Sequence, residues 1–233
     1  MNKLLLPGER LDDLGDGLRI IQRRDVFAFS SDAVLLANFV SLFRGERVID
    51  LGTGTGVIPL LISKRRPLRQ IVALEIQAQL VEMCRRSVAF NGLNTLIDVV
   101  HADLREVRDS IPPESFNVVT ANPPYMPADT GSVNKNQAIA VARHELFCKL
   151  EDVIKAAAWL VMYGGKFAMV HRPQRLADIC GLMLTHRLQP KRMQLIHPRA
   201  GREAEMVLIE AEKGARPGLR VLAPLFLNGS ESV

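Results

Sequence analysis

The sequence predicts an α/β fold in which a mostly parallel sheet is wound with helices. Three observations carry the prediction. From Arg47 onward short apolar runs alternate with helical patterns, a glycine-rich turn joins the first such run to the first helix, and the tail ends in two strand-like runs around a basic turn. At 233 residues the chain is long enough for one or two domains with a core that needs no disulfide or metal staple. Its 48% apolar and 24% charged residues exclude disordered, collagen-like and coiled-coil classes.

Taken in order, Val48 to Leu51 reads as a buried strand that breaks into GTGTG, and Val57 to Arg66 as a helix stopped by Pro67. Ile71 to Glu75 is a second strand. The next segment places Leu80, Val81, Cys84 and Val88 on one helical face, with Asn91-Gly92 as its stop. Ile97 to His101 is a third strand. Phe116 to Ala121 is a fourth, running into Asn122-Pro123-Pro124-Tyr125 and a polar loop to about Gln137. Glu151 to Tyr163 is helical with Gly164-Gly165 as its stop, Lys166 to Val170 is a fifth strand, and Arg175 to His186 a further helix. Met193 to His197 and Met206 to Ala211 form a closing hairpin. Trp159, Met162 and Phe167 fall on helix and strand faces and read as core.

No segment approaches the eighteen or so apolar residues of a membrane span, and Pro7, Glu9 and Arg10 interrupt the short leucine run at the start, so no membrane partner and no signal peptide are expected. Cys84, Cys148 and Cys180 are scattered without ligand spacing, which points to reduced thiols in the cytoplasm and to no metal. The net charge of +5 matters less than its distribution. From Leu182 to Arg202 there is no acid, while Arg187, Lys191, Arg192, Arg199 and Arg202 offer a surface for a polyanion. Lys64, Arg65, Arg66 and Arg69 form a second cluster, read first as cations at the negative end of a helix.

The chemistry concentrates at the strand ends. Asp50-Leu51-Gly52-Thr53-Gly54-Thr55-Gly56 turns from strand to helix, where glycine lets a ligand approach the backbone. The dinucleotide fingerprint would need a third glycine where Val57 stands, so a nicotinamide oxidoreductase is disfavoured. GxGxG after an acid suits S-adenosylmethionine, with Gly52, Thr53, Gly54 and Gly56 cradling its amino acid and ribose and Asp50 accepting near the ammonium. Glu75, at the tip of the next strand, would accept from the ribose diol; its bland reading is a solvated acid at a helix start. Asp103 would meet the adenine amino group, or simply cap the short segment after it. In Asn122-Pro123-Pro124-Tyr125 two prolines remove donors and leave carbonyls free. The Asn122 side-chain oxygen and the Pro123 carbonyl can then accept the two N–H bonds of a planar amine, while Tyr125 stacks on the ring that bears it. The amine would attack a sulfonium methyl with no metal and no covalent nucleophile, positioning supplying most of the catalysis.

With these motifs in this order, the stretch from about Arg47 to Ala211 resembles the class I S-adenosylmethionine-dependent methyltransferases of the NPPY amino-methylating type. The resemblance implies a Rossmann-like α/β fold, with a seven-stranded mostly parallel sheet, an antiparallel last strand and helices on both faces. Residues 47–233 would form the methyltransferase domain as one structural unit, and residues 1–46 an N-terminal cap and lead-in segment packed on it. Phe27 to Ala37 (FAFSSDAVLLA) looks like the lead-in of bacterial tRNA(Val) adenine-N6-methyltransferases, which modify the adenine beside the anticodon. That likeness places Phe29, Ser31 and Asp32 beside the cofactor and target pockets, with Ser31 at the methionine carboxylate. From the residues alone, Ser30 or Ser31 is a helix N-cap and Asp32 a first-turn acid. Arg143-His144-Glu145 also resembles a family segment without an assigned chemical role.

The implied activity is N6-methylation of an adenine in tRNA by a monomer with no obligate protein partner. The same turn chemistry serves other planar amines, among them guanine N2 or adenine N6 of rRNA and a protein glutamine amide. A non-catalytic RNA-binding module is the competing class, against which the intact Asn122-Pro123-Pro124-Tyr125 turn argues. The short N-terminal segment leaves little room for the helical domain of glutamine methyltransferases.

Overall fold

Val48, Ile49, Leu51, Ile71, Val72, Leu74, Val118 and Val119 are all buried, and their near-continuous apolar runs are what a strand covered on both faces requires. The structure, a computed structural model, describes residues 4–23, 31–123 and 148–227. Phe29, Pro124, Tyr125, Arg143, His144 and Glu145 lie outside the described residues.

In chain order, a hairpin of β1 (Glu9–Gly15) and β2 (Leu18–Arg23) precedes helix α1 (Ser31–Phe39). Then come β3 (Arg47–Leu51), α2 (Val57–Ser63), β4 (Gln70–Glu75), α3 (Ala78–Phe90) and β5 (Ile97–His101). A short helical stretch, α4 (Val107–Ser110), leads to β6 (Phe116–Ala121). The second half holds α5 (Leu150–Leu160), β7 (Val161–His171), α6 (Leu176–Thr185), β8 (Leu188–His197) and β9 (Met206–Lys213). Two short strands follow, β10 (Arg220–Val221) and β11 (Leu225–Phe226).

The main sheet runs β5-β4-β3-β6-β7-β9-β8. The first five are parallel to one another, and β9 slots antiparallel between β7 and β8. One face, with Val48, Ile71, Ala73, Val118 and Val170, packs with residues of the hairpin, α1, α2 and α3; the other, with Ile49, Val72, Leu74, Phe167 and Met169, packs with α5 and α6. The predicted α/β class and the closing hairpin are therefore borne out. On the outer side of β8, β10 and β11 each add a two-residue parallel pairing.

The expected helix to Tyr163 needs correcting. α5 ends at Leu160 and passes straight into β7, because Val161 is already extended and Lys213 Nζ donates to the Ala158 and Val161 carbonyls. Gly165 marks a close strand approach inside β7: a Cβ there would lie 2.7 Å from the Asn117 carbonyl oxygen, beside the register shift between Phe116 and Val118. The helix after the glycine turn is also shorter than predicted, ending at Ser63. Arg65 then serves a neighbour, donating to the Ala37 and Val40 carbonyls at the end of α1.

The sequence gives no sign of the β1–β2 hairpin, which is fastened to α3 by side chains. The Ile21 amide donates to Ser87 Oγ at 3.0 Å, and the Arg19 amide donates to Asn91 Oδ1, whose Nδ2 returns a bond to the Arg19 carbonyl. Arg86 pairs with Glu9 through its two terminal guanidinium nitrogens.

Candidate active site

Strand register brings the candidate residues together. Leu51 stands opposite Leu74 on one side and Ala121 on the other, and Glu75 opposite His101, so Gly52, Glu75 and Asn122 leave the sheet side by side at its carboxyl edge. In parallel α/β sheets this edge, where neighbouring connections diverge, is where ligands bind. The turn after β3 depends on glycine: Gly52, Gly54 and Gly56 have φ of 68°, 60° and 92°. A Cβ on Gly56 would sit 2.5 Å from Cys84 Sγ, whereas Gly52 and Gly54 open onto free space. Gly56 is thus needed for helix packing, and the other two glycines for a backbone a ligand can reach.

Two carboxylates are buried beneath this turn. Asp50 is 1% exposed, and Thr120 Oγ1 donates to its Oδ1 at 2.6 Å. Burial pushes the Asp50 carboxyl up to about 7; the Thr120 hydroxyl opposes the rise and the nearby Glu75 adds to it. Asp50 Oδ2 and Thr53 Oγ1 are buried without a hydrogen-bond partner among the described residues. Glu75 accepts at Oε2 from the Gly54 amide (2.9 Å) and at Oε1 from the Ile76 and Gln77 amides, so three of its roughly four acceptor positions hold the turn and the start of α3. Two buried acids and two oxygens without a partner among the described residues, Asp50 Oδ2 and Thr53 Oγ1, fit a ligand rich in N–H and O–H donors, which a pyrophosphate is not.

Asp103 is placed by its capping role. It accepts from the Arg105 amide at 2.9 Å and from the Arg105 guanidinium, which holds its carboxyl below the usual range. Asn122 follows β6 at the edge, and Pro123 beside it is buried. Ser31 opens α1 in an exposed position, its hydroxyl 3.5 Å from Asp32 Oδ1, and Asp32 is buried in the first turn.

Two residues escape the sequence reading. Thr120 couples β6 to Asp50 of β3. Gln22, fully buried in β2, donates from Nε2 to Thr55 Oγ1 at 2.6 Å and so links the N-terminal hairpin to the glycine turn. A polar residue in an apolar strand pattern was the available signal for both.

The fold divides the basic stretch. Arg187 precedes β8 and lies at the amino edge of the sheet, away from Asn122. Lys191 Nζ donates to the Arg216 carbonyl. Arg192 points inward, donating to Ser41 Oγ and the Phe39 carbonyl, lying over the Phe39 ring and near Glu210. Arg199 and Arg202 are exposed on the β8–β9 turn at the carboxyl edge. Among the described residues no group of His, Cys, Asp and Glu is placed to hold a metal. No helix among them is long and apolar enough to cross a membrane.

A family profile described as the methyltransferase small domain matches residues 18–179. The chain belongs to this family. The methyltransferase small domain match covers β2, the glycine turn and Asn122 together. A Bacteroides thetaiotaomicron protein named tRNA1(Val) (adenine(37)-N6)-methyltransferase is 34% identical over 149 residues, 64% of this chain and 60% of that protein. One of the same name from Trichodesmium erythraeum is 28% identical, covering 85% of this chain and 82% of its own. Alignment thus reaches less than two thirds of the Bacteroides relative's length. Among solved structures, a predicted O-methyltransferase from Agrobacterium tumefaciens is 30% identical with a TM-score of 0.69, covering 86% of this chain and 89% of its own. A precorrin-6y C5,15-methyltransferase from Geobacter metallireducens shares the fold at 15% identity, with a TM-score of 0.56 over 83% of this chain and 95% of its own. The class I methyltransferase fold expected for this methyltransferase small domain is thus borne out.

Proposed function

We propose that this chain transfers a methyl group from S-adenosylmethionine to the N6 amine of an adenine in tRNA, the adenine beside the anticodon of tRNA(Val). The observation that carries the reading is the register that sets Asn122 beside Gly52 and Glu75 at one sheet edge. The names of the Bacteroides and Trichodesmium relatives support the substrate, and structural neighbours solved with S-adenosylmethionine or its product support the cofactor.

When bound, S-adenosylmethionine supplies an electrophilic methyl group on a sulfonium. Asp50 Oδ2 and Thr53 Oγ1 would receive its amino-acid end, with Ser31 at the carboxylate, while Gly52, Gly54 and Gly56 shape the backbone a ligand can reach. Glu75 would accept from a ribose hydroxyl at its one remaining acceptor position. Asp103 would accept from the cofactor's adenine amine in place of the exposed Arg105 guanidinium. Asn122 Oδ1 and the Pro123 carbonyl accept the two N–H bonds of the target amine and localise its lone pair for attack, and Tyr125 stacks on the base. Two acceptors suit an amine with two N–H bonds better than a hydroxyl with one.

The test is incubation with radiolabelled S-adenosylmethionine and tRNA lacking the modification, followed by nucleoside analysis. Label is expected in N6-methyladenosine. Label in another nucleoside would move the substrate and keep the mechanism, and label only with a protein extract would favour a glutamine amide. Asn122→Ala is expected to abolish transfer with RNA affinity within a few fold; normal methylation by that variant would refute the acceptor turn.

A further inference from the structure

Where β7 runs out, an open cleft of about 520 Å3 separates its end from the β8–β9 turn, lined by Arg172, Gln174, Pro198, Arg202, Glu203 and Glu205 among others. Its position follows from topology. β7 and β8 are parallel, so His171 and His197 both end at the carboxyl edge that carries Asn122. With neighbouring strands ~4.8 Å apart, the end of β7 lies one spacing, about 5 Å, across the sheet from the end of β6, and the end of β8 about 15 Å.

The walls are braced. Arg172 Nη1 donates to the Glu205 carbonyl at 3.1 Å, tying the end of β7 to the turn, and His197 Nδ1 lies 2.7 Å from the Arg202 carbonyl. Arg202 is thus held by its backbone, with its exposed guanidinium set on a fixed frame. Exposed Arg199 stands on the same turn. A guanidinium offers two parallel N–H donors to phosphate oxygens, a geometry that lysine cannot supply. Glu203 and Glu205 lower the positive field here, so an anion would be held by directed hydrogen bonds more than by diffuse attraction.

We propose that this cleft holds a phosphodiester of the RNA strand flanking the target adenine, gripped by Arg172 and Arg202 with Arg199 adding to the local charge. The proposal rests on the tRNA reading above and specifies where that RNA is held. It separates Arg199 and Arg202, at the catalytic edge, from Arg187 at the opposite edge and from Arg192, which is engaged within the fold.

The experiment measures binding of an unmodified tRNA transcript between 50 and 200 mM salt, with S-adenosylhomocysteine affinity by calorimetry and melting temperature as controls. Arg202→Glu is the primary variant because its side chain does not brace the turn; the Arg172→Glu, Arg202→Glu double variant follows. Expected are a loss of about tenfold or more in RNA affinity for the double variant, and a salt slope smaller by about one per arginine removed. S-adenosylhomocysteine affinity should be unchanged. Neutralising the acids with Glu203→Gln and Glu205→Gln should tighten RNA binding a few fold, and Arg187→Glu should leave it within twofold. Wild-type RNA affinity and salt slope in Arg202→Glu and the double variant would overturn the proposal, as would weaker binding after neutralising the acids, the sign of a cationic ligand. Those outcomes leave the tRNA reading standing if N6-methyladenosine still forms. A wild-type protein that neither binds nor labels tRNA would remove both.

Discussion

Asp50 and His171 are opposed titrating residues at the same sheet edge. Burial sets the Asp50 carboxyl at about 7 against its ordinary 3.8, so the ligand-free fold keeps a proton that the unfolded chain has released. Its stabilising contribution is therefore complete below about pH 4 and is lost as pH rises to about 7, about 4 kcal/mol in all. Burial lowers His171 to about 4 from 6.5, with the Arg172 amide donating to its Nδ1 at 2.8 Å. That contribution is complete above about pH 6.5 and is lost as pH falls toward 4, about 3 kcal/mol. Between pH 4 and 6.5 the two slopes cancel. Asp50→Asn should unmask His171, so that unfolding free energy from urea titrations rises by about 1.4 kcal/mol per pH unit over that window. The variant should also be more stable than the wild type at pH 8, yet lose the thermal shift caused by S-adenosylhomocysteine. An unchanged pH profile would show that Asp50 carries no proton in the ligand-free fold.

At the scale of elements, the β1–β2 hairpin acts as a brace for the glycine turn. Its bonds to Ser87 of α3 and to Asn91 just after that helix fix it in place, and Gln22 then reaches Thr55 of the turn. Gln22→Leu should leave the buried Thr55 hydroxyl without its donor, at about 1–3 kcal/mol, equivalent to a Tm lower by several degrees. S-adenosylhomocysteine should bind several-fold more weakly by calorimetry, with RNA affinity retained; unaltered cofactor affinity would reduce the hairpin to a structural ornament. The turn and strands themselves were legible in the sequence because their code is local: apolar runs, consecutive glycines, and an acid or Asn at each strand end. The brace was not, since Ile21 meets Ser87 and Arg19 meets Asn91 across long separations and no local pattern specifies a docking partner. Gly164-Gly165 misled for a related reason. Glycine after a helical pattern reads as a stop, but here Gly165 answers to the Asn117 carbonyl on a neighbouring strand.

Over the whole molecule, the parallel sheet sorts residues between its two edges, and that sorting decides which charges can share a ligand. Gly52, Glu75, Asn122, Arg172 and Arg202 line one edge although they come from five separate stretches of the chain. The basic stretch was visible as composition, but a strand's length separates Arg187 from Arg199, and only the direction of β8 places them on opposite sides. The sheet has lateral margins as well. β8 would leave a row of backbone donors and acceptors open to any passing strand, yet the Leu222 amide donates to the Met193 carbonyl and the Leu227 amide to the His197 carbonyl, while β10 and β11 lie along it. The returning tail is thus a guard against self-adhesion. A chain cut after Lys213 keeps β3 to β9 and should still display the carboxyl edge, but its bared margin should recruit a second copy. Concentration-dependent light scattering, absent from the full chain, is the expected signature, and a cut chain that stays monomeric would assign the tail another task.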